Sequence, residues 1–242
     1  MNPLLPALII AISLITGCGK EALTPSESAK ADFTHAKKLI DAGNFTSANL
    51  FLEKFSNKHP YSQHIADAEL LRIYAAFKGS EYVLSETLST RFISKHPNHP
   101  NVSYAQYMLG MSDLKQTVPS QRDPAPTLRA SAAFKKLIHD YPKSDYIPEA
   151  RLHLQNLHNK LAEHELYIGK FYFDNERFVA ATNRFQEIVK QYQTTPVIEE
   201  ALYYLAASFA SLQLADSARD SAILLRHNYP KSVWSEKAAD FL

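Results

Sequence analysis

"ASAAFKKLIHDYPKSDY", residues 130–146, holds the pattern that decides the fold. Ala130, Phe134, Leu137 and Tyr141 are spaced by steps of 4, 3 and 4, which places them on one face of an α-helix. Pro142 ends that helix, because its ring removes the N–H and restricts the residue before it. The same phrase recurs when the chain is counted back from Pro60, Pro97, Pro142, Gln193 (in place of a proline) and Pro230. One residue before each stands His59, His96, Tyr141, Tyr192 or Tyr229, and five before stands Phe55, Phe92, Leu137, Ile188 or Leu225. Eight before stands Leu52, Ser89, Phe134, Phe185 or Ala222, and twelve before stands Ala48, Ser85, Ala130, Ala181 or Ala218. That last column is always small, as two closely approaching helix backbones require.

A turn precedes each of these helices, 17 or 18 positions before the anchor, at Gly43, Gly79, Ala125, Asn175 and Gln213. Gly and Asn there suit a left-handed helix C-terminus. Another helical segment precedes each turn, so the unit is helix A, turn, helix B, five times over. Anchor spacings of 37, 45, 51 and 37 residues resemble tetratricopeptide (TPR) repeats, whose period is about 34, with insertions between units. The expected fold is therefore all-α: an α-α superhelix of five TPR repeats near 29–62, 63–100, 101–145, 146–195 and 196–232, then a short C-terminal helix. A single helix pair cannot bury its apolar face, so neighbouring units must stack. "QTVPSQRDPAP" (116–126) lengthens the third turn into a loop, while 146–174 holds one proline, Pro148 near its start, and one glycine, and reads as one long helix. "SVWSEKAADFL" caps the array with Trp234 on the last repeat.

Ahead of the repeats, Pro3 to Gly17 is uncharged and mostly Leu, Ile and Ala, and Cys18, the only cysteine, follows it. The apolar core of that run is about 12 residues, too short to span a bilayer of about 30 Å and suited to a signal-peptide h-region. Ile15-Thr16-Gly17-Cys18 resembles the lipobox of bacterial lipoproteins. The resemblance implies removal of 1–17, diacylglycerol and an N-acyl chain on Cys18, and 18–28 as a lipidated tether. Gly19, where an inner-membrane retention signal would place Asp, implies the periplasmic face of the outer membrane. More than one acyl chain is needed to hold a protein on a bilayer. The 26 Lys+Arg against 25 Asp+Glu give no reason to propose nucleic acid as a partner, and no disulfide can form.

No catalytic constellation stands out: no Gly-rich phosphate loop, no G-x-S-x-G and no H-E-x-x-H. Of the ten histidines, His96 fills the aromatic column before a helix-ending proline, and His153 and His158 are five apart, poorly placed to share a metal. No enzyme, cofactor or metal site is expected. A TPR array instead offers a concave groove lined by A helices to peptides or other domains. Tyr74, Tyr104 and Tyr107 are candidate groove anchors, with ordinary inter-repeat packing as the other reading.

The stretches "HPNHPNVSYAQYMLGM" (96–111), "QRDPAPTLRASAAFKKLIHDYPKSDY" (121–146), "LAEHELYIGKFYF" (161–173) and "VAATNRFQEIVKQY" (179–192) resemble, in order, segments of the BamD family, five-repeat lipoproteins of the outer-membrane β-barrel assembly machinery. The resemblance implies a scaffold whose amino-terminal repeats bind the targeting strand of unfolded barrel precursors. It also implies carboxy-terminal repeats that dock on the POTRA domains of BamA, and a body along which BamC lies. The family's Asn-Arg pair for BamA coupling falls on Asn183 and Arg184. Two connections, after Pro60 and after Met111, are shorter than in well-known members. The alternative is a periplasmic TPR lipoprotein that tethers cell-wall enzymes or division factors to the outer membrane.

Overall fold

The computed structural model of the chain describes residues 24–242. The expected signal segment and Cys18 lie outside them. The described residues form eleven α-helices and a closing 3-10 turn, Ala238–Phe241, with no strand. Repeat one pairs α1 (Pro25–Asp41) with α2 (Phe45–Lys58), and repeat two pairs α3 (Ile65–Lys78) with α4 (Tyr82–Lys95). Repeat three pairs α5 (Val102–Lys115) with α6 (Ala125–Asp140), and repeat four pairs α7 (Ile147–Asp174) with α8 (Phe178–Gln191). Repeat five pairs α9 (Ile198–Ser211) with α10 (Ala215–Asn228), and α11 (Val233–Lys237) follows. This is the expected all-α array, and the segment after residue 146 is the single 28-residue helix α7.

The repeated columns are the core. All five residues of the small column, Ala48, Ser85, Ala130, Ala181 and Ala218, are buried, as are Phe55, Phe92, Leu137, Ile188 and Leu225. Facing B helices need space on the A helix, and glycine supplies it twice. A Cβ on Gly110 would lie 2.6 Å from the Phe134 ring, and one on Gly169 would lie 2.5 Å from Phe185. Both phenylalanines occupy the column eight before the anchor. In repeat two the bulk is exchanged: Ile73 stands where Gly110 and Gly169 stand, and Ser89 takes the phenylalanine position.

Two expectations are corrected. The stretch 18–28 is not all tether, because α1 begins at Pro25. Glu27 N–H donates to Thr24 Oγ1 (3.3 Å) while Thr24 N–H donates to Glu27 Oε2 (2.9 Å), a capping box with proline in the first turn. The left-handed turn residues are Gly43, Ser80, Glu176 and Gln213, each 17 before its anchor, so in repeats two and four they lie one past Gly79 and Asn175. Gly79 and Asn175 have φ of −77° and −96°. The cause is a common closure in which the residue after the left-handed one donates back five positions. Asn44 reaches Leu39, Glu81 reaches Ala76, Arg177 reaches Tyr172 and Leu214 reaches Phe209, all at 2.8–2.9 Å. Ala125 is no turn residue; it opens α6.

The apolar interior falls into three clusters. One lies under α1 to α3, a second runs from Leu70 on α3 to Leu157 on α7, and a third runs from Leu166 on α7 to Ala238. Helix α7 alone belongs to both larger ones. A helices of adjacent repeats touch at α1/α3, α3/α5 and α7/α9, but the α5/α7 contact is thinner. The 116–124 loop is pinned there. Lys160 Nζ donates to Thr117 Oγ1 (3.0 Å), His164 Nδ1–H donates to the Ser120 carbonyl (2.6 Å), and Arg129 Nε donates to buried Asp113 Oδ1 (2.9 Å).

Candidate docking surfaces

A column not singled out in the sequence, 28 residues before the anchor, holds Asp32, Glu69 and Glu165 on the A helices. Asp32 Oδ2 accepts from Lys58 Nζ (2.6 Å) and bonds His59 Nε2 (2.7 Å). Glu69 holds Lys95 (2.7 Å) and His96 (2.8 Å) in the same way. Burial pushes both carboxyls up, but the hydrogen bonds and charges of their basic partners outweigh it and hold them below the usual range. In repeat four the acid changes partner: Glu165 Oε2 accepts from Arg184 Nη1 at 3.0 Å. The expected docking residue Arg184 is therefore already oriented by its own A helix, with 42% of its side chain exposed. Asn183 beside it is exposed.

Tyr104 and Tyr107 converge on Tyr146 at the start of α7, at centroid distances of 5.6 and 4.7 Å, the latter stacked. Burial raises the pKa of both phenols, so both stay neutral. Tyr107 is 8% exposed and belongs to the second cluster. Its ring joins repeat three to α7 and leaves little face for a ligand, so the packing reading holds for Tyr107. Tyr74 is half-buried, edge-on to Phe45 at 6.4 Å with Lys78 Nζ 5.8 Å from its ring.

Two features escaped the sequence reading. A cavity of about 410 Å³ opens between the first turn of α1 and the α2–α3 connection, lined among others by Pro25, Ala29, Lys58, His59 and His64. Tyr61 at its edge is 100% exposed, and His64 stacks on Phe33 at 5.1 Å. On α7, Tyr167 and Phe171 are 48% and 56% exposed, an i, i+4 pair on one face. The signal for that pair lay in "ELYIGKFYF": a helix apolar on every side has more aromatic surface than one packing face can cover.

The histidines weighed as metal ligands pack against neighbouring side chains or the local backbone. His153 stacks on Phe134 (5.4 Å), His158 on Tyr192 (4.7 Å), and His99 Nδ1 accepts from Asn101 N–H (3.1 Å). Among the described residues, no group of three or more His, Cys, Asp or Glu side chains could hold a metal ion, and no helix is long and apolar enough to cross a membrane.

A family model described as YfiO, outer membrane lipoprotein, matches residues 25–224. The chain belongs to that family. Its relatives include proteins named outer membrane protein assembly factor BamD from Caulobacter vibrioides, Rickettsia prowazekii and Vibrio cholerae. The Caulobacter protein is 29% identical over 94% of this chain and 76% of its own length. The Rickettsia protein is 28% identical over 97% and 94%, and the Vibrio protein 29% identical over 91% and 96%. Among solved structures, the TPR2AB domain of yeast Sti1 in its pHSP90 complex superposes with a TM-score of 0.50 at 16% identity, covering 87% of this chain and 81% of that one. That likeness speaks to the fold and supports the TPR assignment. The BamD resemblance read from residues 96–192 stands.

Proposed function

We propose that this lipoprotein is a non-enzymatic scaffold for assembling proteins into the outer membrane, placed on the periplasmic face and held by lipid on Cys18. The observation that carries this reading is the family match over 25–224, together with relatives named BamD across more than nine-tenths of the chain. A TPR array binds through side surfaces that stacking leaves open, and its two ends supply different chemistry here. The amino-terminal end carries a cavity with Lys58, His59 and a fully exposed Tyr61. This is the surface for the terminal strand of an unfolded barrel precursor, whose apolar and aromatic side chains and carboxylate match an aromatic rim and basic groups. The repeat-four surface carries Asn183 and the pre-oriented Arg184, suited to a carboxylate on a BamA POTRA domain. BamC and other Bam lipoproteins are further partners of the body.

Affinity purification of the lipoprotein from detergent-extracted envelopes tests the reading. A BamA homologue is expected to co-purify, and photo-cross-linkers at Tyr61 and Arg184 should capture barrel precursors and BamA respectively. Absence of a BamA homologue from the purified material would refute the proposal. Mass spectrometry of the native amino-terminal peptide tests the anchor separately, and an unacylated Cys18 would refute that part alone.

A further inference from the structure

Helix α7 is twice the length of α3, α5 and α9, and the space between its flanking B helices is larger than the one of about 490 Å³ between α8 and α10 over α9. Helix α6 packs along its first half and α8 along its second, and between them lies a groove of about 750 Å³. Its floor is the α7 face that carries Leu154, His158 and Leu161, at steps of 4 and 3 along one side of the helix. From Arg151 to Leu161 the floor runs about 15 Å at 1.5 Å per residue, and a helix with its side chains is about 10–12 Å across. A helix laid along that floor would meet it over about ten residues.

Its charges are uncompensated. Lys135 on the α6 wall and Arg151 on α7 have no carboxylate within ion-pair distance among the described residues. Burial and the nearby Lys135 charge lower the pKa of His158, as expected where positive charge collects over an apolar floor. Glu187 stands on the opposite, α8 wall. We propose that this groove receives one acidic amphipathic helix of a partner protein, its apolar stripe on Leu154 and Leu161 and its carboxylates against Lys135 and Arg151. Helix-in-groove recognition works by such apolar anchors at helical spacing, and Glu187 fixes the polarity by repelling carboxylates on its side.

The test uses the full-length lipoprotein in detergent micelles and a fluorescein-labelled helical peptide of roughly 18 residues, long enough to hold helix. The peptide carries leucines at i, i+4, i+7 and i+11 flanked on one side by glutamates. One control replaces every glutamate with lysine, and another has the same composition broken by two central prolines. The acidic helix should give a saturable rise in anisotropy. The lysine version should bind about tenfold more weakly, a difference of about 1.4 kcal/mol, and so should the acidic peptide against a K135E/R151E variant whose unfolding midpoint is unchanged. A photo-cross-linker at exposed Ala132, on the α6 wall, should capture the peptide. The proposal is overturned if no saturable binding occurs, if acidic and basic peptides bind alike, if the double variant binds as well as the parent, or if the cross-linker stays free. Equal binding of the proline-broken peptide overturns the helical occupant and points to an extended one.

Discussion

Replacing Gly169 by alanine tests the size match between A and B helices. The new Cβ would lie 2.5 Å from Phe185 Cε1 and 2.9 Å from Cδ1 and Cζ, where carbon atoms prefer about 3.5–4.0 Å. The ring must retreat by about 1 Å, yet Phe185 is fully buried and stacked on Tyr204 at 5.5 Å. Overpacking of this kind costs about 1–3 kcal/mol, against a helix-propensity gain of about 1 kcal/mol for Ala over Gly. A net loss of up to about 2 kcal/mol is expected. Urea unfolding followed through Trp234, the only tryptophan and packed in the same cluster, reads it as a lower midpoint. Phe185→Leu alone also destabilises, by leaving a void, but in the double variant the alanine methyl occupies part of that void. The two changes should therefore couple favourably by about 1 kcal/mol in a double-mutant cycle. A Gly169→Ala variant more stable than the parent, or additive with Phe185→Leu, would show that the contact does not set the helix approach.

Three further outcomes follow from the charge clamps and the turns. Asp32 and Glu69 have folded-state pKa values below their unfolded ones, so their stabilisation is present above the unfolded carboxylate pKa, about 4. It is lost as pH falls through the folded values. An Asp32→Asn/Glu69→Gln variant should then show a flatter fall in thermal midpoint between about pH 5 and 3 than the parent. Arg184→Ala removes a half-exposed, solvent-screened ion pair and should cost less than about 1 kcal/mol. Its circular-dichroism melt should shift little while any BamA-homologue binding measured on the same sample is lost. Glu176→Gly relieves a non-glycine φ of 59° and should stabilise by roughly 1 kcal/mol. Asn175→Gly, one residue earlier at φ −96°, should instead destabilise, also removing the Nδ2 bond to the Phe171 carbonyl.

Much of the architecture was legible because stacking keeps one column small and another apolar in every unit, and a proline marks four of the five. The long α7 was legible from what it lacks after Pro148 in its first turn, namely a further proline and a second glycine. The true left-handed positions were not, because Ser80 and Glu176 carry no compositional mark and their conformation follows from a backbone bond six residues long. The start of α1 hid inside a polar "TPSES" stretch that reads as linker, although Thr24 and Glu27 have capping-box spacing. The candidate surfaces were less legible still. Tyr107 and Tyr167 are both tyrosines on A helices, and only packing against Tyr146 makes one core while the other stays open. The partner of Arg184 lies 19 residues away, yet it stands in the column shared with Asp32 and Glu69, so the five-fold alignment already held it.

The same alignment bears on how the two ends communicate. In a regular solenoid each unit touches only its neighbours, and stability spreads as nearest-neighbour terms. Here the second and third clusters share no residue, and Leu157 and Leu166, their boundary members on α7, are about 13 Å apart along the helix at 1.5 Å per residue. What joins them is a continuous run of helical backbone, braced by the 116–124 loop through Lys160 and His164. A rigid rod of this kind fixes the orientation of the amino-terminal cavity relative to Arg184 without a continuous apolar core between them. It also leaves each half able to open locally without unfolding the other. Under the proposed function, partners bound at the two ends would be held in one geometry by α7.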